Sequence, residues 1–321
     1  HHAFEQLQPD VVSECLRQLH VTADETVTTE QLFILAARDD HFAGHATMLA
    51  VHGAAWLQRF QWHGAEALLD RIGRTLLPPA TGQSAPPPAS METFRHARAE
   101  IRSWSKLPCF SLAAARLPKR PSAEVRAALS AHRSSGGHAL RAAIGDGLQH
   151  GWTPADVWEA LLVRALDYAS LDRRTGRRGL HGFNTVHALH KASARAATEQ
   201  VRALCLWMAA ERLPSFAPSP SVSLSAEVTA NADSLRDAKA PSAAKAPFDA
   251  NVGRRRIVER ADHDLHNVKF PAAIYAELAT TSGPVLRRFR SELSAELHAA
   301  PPTRWPALDD ARALLRDFRK P

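Results

Sequence analysis

Histidine stands out as the residue type in this 321-residue chain best able to do chemistry, with 17 copies set among only 3 cysteines. Successive residues of an α-helix turn by about 100°, so positions three, four, seven and eleven apart share a face. In the segment DDHFAGHATMLAVHGAAWL this aligns His41, His45, Met48 and His52, placing imidazoles where a core would carry Leu or Val. A second segment, RRGLHGFNTVHALHKASARAA, aligns His181 with Thr185, Ala188 and Ala192, while His187 and His190 point elsewhere. Small side chains below His181 let another helix or a substrate come close. Similar logic puts His138, Ala142 and Gly145 on one face after the Gly136-Gly137 turn. In the fourth segment, RADHDLHNVKFPAAIYAEL, Asp262, His266, Lys269 and Ala273 share a face and His263 lies to the side. One helical histidine is usually a surface group or a hydrogen-bonded core residue. Four such segments, each pairing a histidine with small neighbours on an inward face, point to imidazoles from distant helices converging on a metal. Imidazole donors suit Fe, Zn, Cu and Ni, and no cysteine is placed to make the site soft.

Lys269 needs its own explanation, because a buried ammonium repels a cation and is costly to desolvate. Three answers are open. Its face is exposed, its amine is a neutral base or nucleophile, or CO2 has converted the amine to an anionic carbamate. Only the carbamate is an oxygen-donor ligand.

Positioning these residues is the work of helices. Ala, Leu and Arg dominate while Tyr is scarce, and 45% of the residues are apolar, enough for a substantial core. The expected fold is all-α, a multi-helix bundle with little or no strand. Helical blocks are expected at 9–20, 29–60, 63–77, 91–104, 122–133, 137–150, 154–170, 181–212, 256–281, 284–299 and 307–319. Thr153-Pro154-Ala155-Asp156 supplies an N-cap, a first-turn proline and an acid, and Thr28-Thr29-Glu30-Gln31 has the spacing of a capping box. Prolines make 78–90 a loop. The Ser-, Ala- and Pro-rich stretch 214–251 is expected as a mobile linker or a lid within one helical domain, 1–321. No fixed-period repeat points to a solenoid.

Composition also excludes functions. The formal charge is +7, but its basic runs, Arg173-Arg174 with Arg177-Arg178 and Arg254-Arg255-Arg256, carry no interleaved aromatics for stacking bases, so nucleic acid is not an expected partner. No apolar run approaches the roughly 18 residues of a membrane span, so no membrane partner is expected. Three cysteines without CxxC spacing fit a reducing, cytoplasmic compartment. A G-x-S-x-G elbow and Gly-rich phosphate loops are absent, which speaks against serine hydrolases and nucleotide cofactors. Oligomeric state is unconstrained.

The segment Leu180-His181-Gly182-Phe183-Asn184-Thr185-Val186-His187-Ala188-Leu189-His190 resembles the L-H-x-x-T-x-x-x-A-L-R segment of questin oxidase-like proteins, and His266-Asn267-Val268-Lys269 resembles their later H-x-x-K. These short pieces lie in about a quarter of the chain. The resemblance implies a helical enzyme with one non-haem iron, held by four histidines and a carboxylated lysine, that activates O2 for oxidative ring cleavage of a polyketide quinone. It assigns the metal ligands to His181, His266 and Lys269 directly, to His45 and His138 more loosely, and the chemistry to His266 and Lys269. The chain departs from the pattern at Asn184 and His190, positions that bear on substrate contacts rather than ligands. A carbamate at Lys269 would add one anionic oxygen donor and favour iron over copper. Asp262 and Asp264 are the nearest groups to orient the rings. Trp56, Trp104, Trp152, Phe183 and Phe270 are candidates for a pocket around a flat aromatic substrate, or simply core. Two rival readings stand beside this one. His263-Asp264 resembles the dipeptide of HD-type metal phosphohydrolases, which need a further downstream aspartate where this chain has only Asp309, Asp310 and Asp317 in a charged helix. The other rival is a non-catalytic helical interaction domain whose histidines are merely wet.

Overall fold

A computed structural model of the protein describes residues 8–38, 44–76, 89–111, 122–132, 136–172, 178–217, 272–277, 285–290 and 293. The described residues are helical throughout apart from turns, with no strand among them. The chain divides into two compact units, residues 1–218 and 219–321.

In the first unit the helices are α1 (Pro9–Thr22), α2 (Glu25–Arg38), α3 (His45–Arg59), α4 (Ala65–Thr75), α5 (Ala89–Ser105), α6 (Ser122–Ala131), α7 (Gly137–Gln149), α8 (Pro154–Asp172), α9 (Arg178–Arg195) and α10 (Glu199–Arg212). Short 3₁₀ turns follow α5 at Pro108–Phe110 and α10 at Leu213–Phe216. Residues 272–277 and 285–290 of the second unit are also helical, within two of the expected blocks, and bury Ile274 and Phe289. The rest of those blocks, the block 307–319, the interior of the 78–90 loop and most of the 214–251 stretch lie outside the described residues.

Two expected blocks are each cut in two. The 29–60 block starts earlier, where Asp24 Oδ1 accepts from the Val27 N–H at 2.8 Å and caps α2. The Thr28–Gln31 capping box is therefore a mid-helix sequence, and Glu30 does another job. α2 ends at Arg38, and the chain resumes at Gly44 in the left-handed region, φ +82, to begin α3. The 181–212 block breaks at 196–198, where Thr198 caps α10 by accepting from the Val201 N–H at 3.3 Å. Glu30 reaches across to this break, accepting from the Ala197 N–H at 2.5 Å and from the Thr198 hydroxyl at 2.7 Å. At Thr153 the expected cap is present: Thr153 Oγ1 accepts from the Asp156 N–H, and Asp156 Oδ2 accepts from the Thr153 N–H, both at 3.2 Å.

α10 is the central post. It is apolar on every side from Ala203 to Ala210, and a helix of that kind stays in contact with protein all round. α9, α5, α2 and α7 pack about it. A large polar neighbour is well matched: the Arg141 guanidinium lies 4.1 Å from the Trp207 ring centre and bridges Glu100 and Glu211 at 2.5 and 2.6 Å. α9 pairs with α8 so closely that a Cβ on Gly179 would lie 2.3 Å from the Tyr168 carbonyl oxygen. Across the bundle, Arg164 of α8 donates to the Leu129 and His132 carbonyls at 3.1 Å each, tying down the end of α6. No helix among the described residues is long and apolar enough to cross a membrane.

Candidate metal centre

The site begins with a close approach of α3 and α9. Gly44 sits against Thr185 of α9, so tightly that a Cβ there would lie 1.9 Å from Thr185 Oγ1. α3 starts at the next residue, His45, and this seating brings its imidazole to that of His181, one turn before Thr185 on α9. The ring centroids are 4.7 Å apart and the planes meet at 88°. Nε2 of His45 and Nδ1 of His181 are both buried.

This arrangement fits two neighbouring ligands of one ion. With metal–nitrogen distances of about 2.1 Å, imidazoles bound at about 90° to one another have ring centres roughly 4.6 Å apart, and at the tetrahedral angle roughly 5.3 Å. Both donors are nitrogen, the ligand chemistry shared by Fe, Zn, Cu and Ni. Two imidazoles make part of a coordination sphere, and among the described residues no group of three His, Cys, Asp or Glu converges to complete one.

The pair is held from below by α10. The Arg212 guanidinium, 7% exposed, donates to Thr47 Oγ1 at 3.2 Å and to the Ala37 carbonyl at 2.9 Å. The Thr47 hydroxyl in turn donates a hydrogen bond to the Ala36 carbonyl at 2.9 Å. One buried cation thus joins the last turn of α2 to the first turn of α3, fixing the backbone that carries His45. Beside Thr185, Asn184 is buried, and its Oδ1 has no hydrogen-bond partner among the described residues. A buried carbonyl of that kind is ready to accept from a hydroxyl or N–H of a guest.

The remaining histidines divide by environment. His187 is buried, stacked at 6.5 Å on Phe183 and 6.0 Å from the His52 ring, while His52 itself is exposed. His190 packs on Trp158 at 5.1 Å. The face expected through His138, Ala142 and Gly145 turns outward at its first two members. α7 instead buries Leu140, Arg141, Ile144 and Leu148, so the structure does not bring His138 to the pair. Among the aromatic candidates, Trp104 and Phe183 are core, and Trp56 is 62% exposed at the far end of α3. His41, Asp262, His263, Asp264, His266, Lys269 and Phe270 lie outside the described residues.

Thiolates take no part in this centre. Cys109 and Cys205 are buried, and desolvation pushes both thiols up, with Glu30 adding to the effect at Cys205. Cys15 is exposed on α1.

Sequence reasoning passed over Arg212 and Thr47. No local signal marks them: Glu211 and Arg212 close the apolar run Ala203–Ala210 as a solvated helix end would, and arginine is seldom buried. Comparison with family models, curated proteins and solved structures finds no match for the chain.

Proposed function

We propose that the chain is a non-haem iron-dependent oxygenase or oxidase acting on an aromatic, quinone-like polyketide. The observation that carries this reading is the His45–His181 pair, two half-buried imidazoles from different helices, each with one ring nitrogen buried, at a separation suited to one ion. When bound, iron supplies Lewis acidity and one-electron exchange with O2.

The chain's own residues have three tasks. His45 and His181 are the ligands. Gly44, seated on Thr185, and Arg212, bonded to Thr47 and Ala37, hold the two helices in register so that the rings meet before any ion arrives. Asn184 offers a carbonyl oxygen one residue from Thr185, placed to orient a phenolic hydroxyl of the substrate. His138 is exposed and is left out of the proposed set. The resemblance assigns further donors to His266 and to a carbamate on Lys269, and substitution tests both.

The experiment uses the full chain free of any histidine tag, loaded anaerobically with Fe(II) and then mixed with O2 and a hydroxyanthraquinone. Oxygen uptake coupled to loss of the quinone absorbance is expected, absent in His181→Ala, in His266→Ala and in Lys269→Ala. Bicarbonate with a short-chain acid should return part of the Lys269→Ala activity. Full activity of Lys269→Ala would remove the carbamate from the proposal, and the absence of iron-dependent oxygen uptake with quinones would remove the oxygenase.

A further inference from the structure

A cavity of about 540 Å³ lies between α2, α5 and the first two turns of α10. That volume is within the range of sites for small organic molecules. Among the described residues none of its lining belongs to α3 or α9, so it is distinct from the histidine pair.

Helical spacing builds its walls. On α2, Val27, Gln31 and Ile34 recur four and three apart and so share a face. Facing them are Val201 and Leu204 of α10, three apart, and Ile101 of α5. These three are buried, whereas Val27 is 40% exposed and marks the rim. The α2 and α10 walls are pinned to each other at one end, where Glu30 accepts from the Ala197 N–H and from the Thr198 hydroxyl that caps α10. A polar bridge thus sets the gap between them.

Charge does not select the guest. Glu30 is engaged in that bridge, and Arg38 and Arg98 have interaction partners of their own. Arg102 is exposed at the rim, where water solvates it. Two neutral amides are left for recognition. Gln31 is half-buried and Gln200 exposed, and neither side chain has a hydrogen bond among the described residues. A carboxamide both donates and accepts. No aromatic ring stands among the described lining residues, so a flat aromatic guest finds nothing to stack on.

We propose that this cavity binds an uncharged aliphatic amphiphile, its body laid against Ile34, Ile101, Val201 and Leu204 and its polar end bonded to Gln31 and Gln200. That end is a group that both donates and accepts, such as an amide or a hydroxyl. A carboxylate in its place would leave water for a wall whose buried cation, Arg38, is already engaged, and desolvating a charge without a new partner is costly.

The test is isothermal titration calorimetry of the full chain with octanamide. One saturable site is expected, with the negative heat-capacity change that marks burial of apolar surface. Octanoate, equal in chain length but charged, should bind about tenfold more weakly or worse, for the desolvation reason just given. The Gln31→Leu/Gln200→Leu variant, altered at a half-buried and an exposed position, should lose about fivefold in octanamide affinity, near the net worth of one hydrogen bond. Ile34→Trp, which puts an indole into the cavity, should abolish binding; an unchanged melting temperature is the check on both variants, and the glutamine variant carries the test if the indole disturbs folding. Octanoate binding as tightly as octanamide, wild-type affinity in the glutamine variant, or no saturable binding would each overturn the proposal. Metal content is not read in this experiment, so its failure leaves the iron proposal standing and the converse holds too.

Discussion

Replacing Gly44 with alanine is expected to destabilise the first unit by about 3–4 kcal/mol, the sum of left-handed strain and overpacking. Alanine at φ +82 carries a penalty of about 1 kcal/mol whatever its surroundings. The larger share comes from the neighbour: the new Cβ would fall 1.9 Å from Thr185 Oγ1, and Thr185 is fully buried on α9 with no room to retreat. α3 must lift off α9, and the His45–His181 contact lifts with it. Thermal unfolding followed by circular dichroism should show a midpoint lower by about 10 °C for a unit of this size. Combining Gly44→Ala with Thr185→Gly should restore part of the loss, because the collision disappears and the strain does not. A shift below about 0.5 kcal/mol, the ordinary range for a surface substitution, would mean that Gly44 does not set the position of α3.

A second large effect separates ligation from packing. An ion that binds only the folded chain stabilises it by RT ln(1 + [L]/Kd), about 2.7 kcal/mol at a hundredfold excess over Kd. Anaerobic Fe(II) should therefore raise the melting temperature of the wild-type chain, and His45→Phe or His181→Phe should abolish the rise. Phenylalanine keeps an aromatic ring in the edge contact but has no lone pair, so the metal-free variants should melt close to the wild-type midpoint. Since two ligands of one ion act together, the double variant should lose no more metal-dependent stabilisation than either single one. A metal-dependent rise that survives both single substitutions would show that the 4.7 Å contact is aromatic packing and nothing more.

Much of the bundle was legible because its helices carry their own punctuation. The Thr153–Asp156 cap and the Gly136-Gly137 turn at the start of α7 announced their helices. The breaks before α3 and at 196–198 were harder: at the first the described sign is Gly44, a residue also found inside helices, and at the second alanines run into the break with no glycine or proline to mark it. At the second break the only local sign was Thr198 followed by Glu199, a cap and a first-turn acid without glycine or proline. Thr28–Gln31 misled because Asp24, four residues earlier, is an equally good cap and won.

The candidate site was legible to a different degree at each residue. His45 and His181 stood out because each lies on a helix face lined with small or core residues, and the fold brings those faces together. His138 had the same small neighbours, yet Ala142 is exposed beside it. Alanine and glycine occupy helix surfaces as readily as close contacts, so they mark a face as permissive without saying what covers it. Arg38 and Arg212 were missed for the opposite reason: arginine is seldom buried, and only the fold shows these two side chains enclosed in the bundle.

The central claim is that His45 and His181 hold a metal ion, and its most direct measurement is elemental analysis of the full chain purified without a histidine tag, paired with the same analysis of His181→Phe. Iron approaching one equivalent in the wild-type chain and falling below about a tenth in the variant is the expected result, as for a ligand removed from a site of this kind. A wild-type chain that carries no transition metal and takes up none on reconstitution would contradict the claim and leave the helical interaction domain as the better reading.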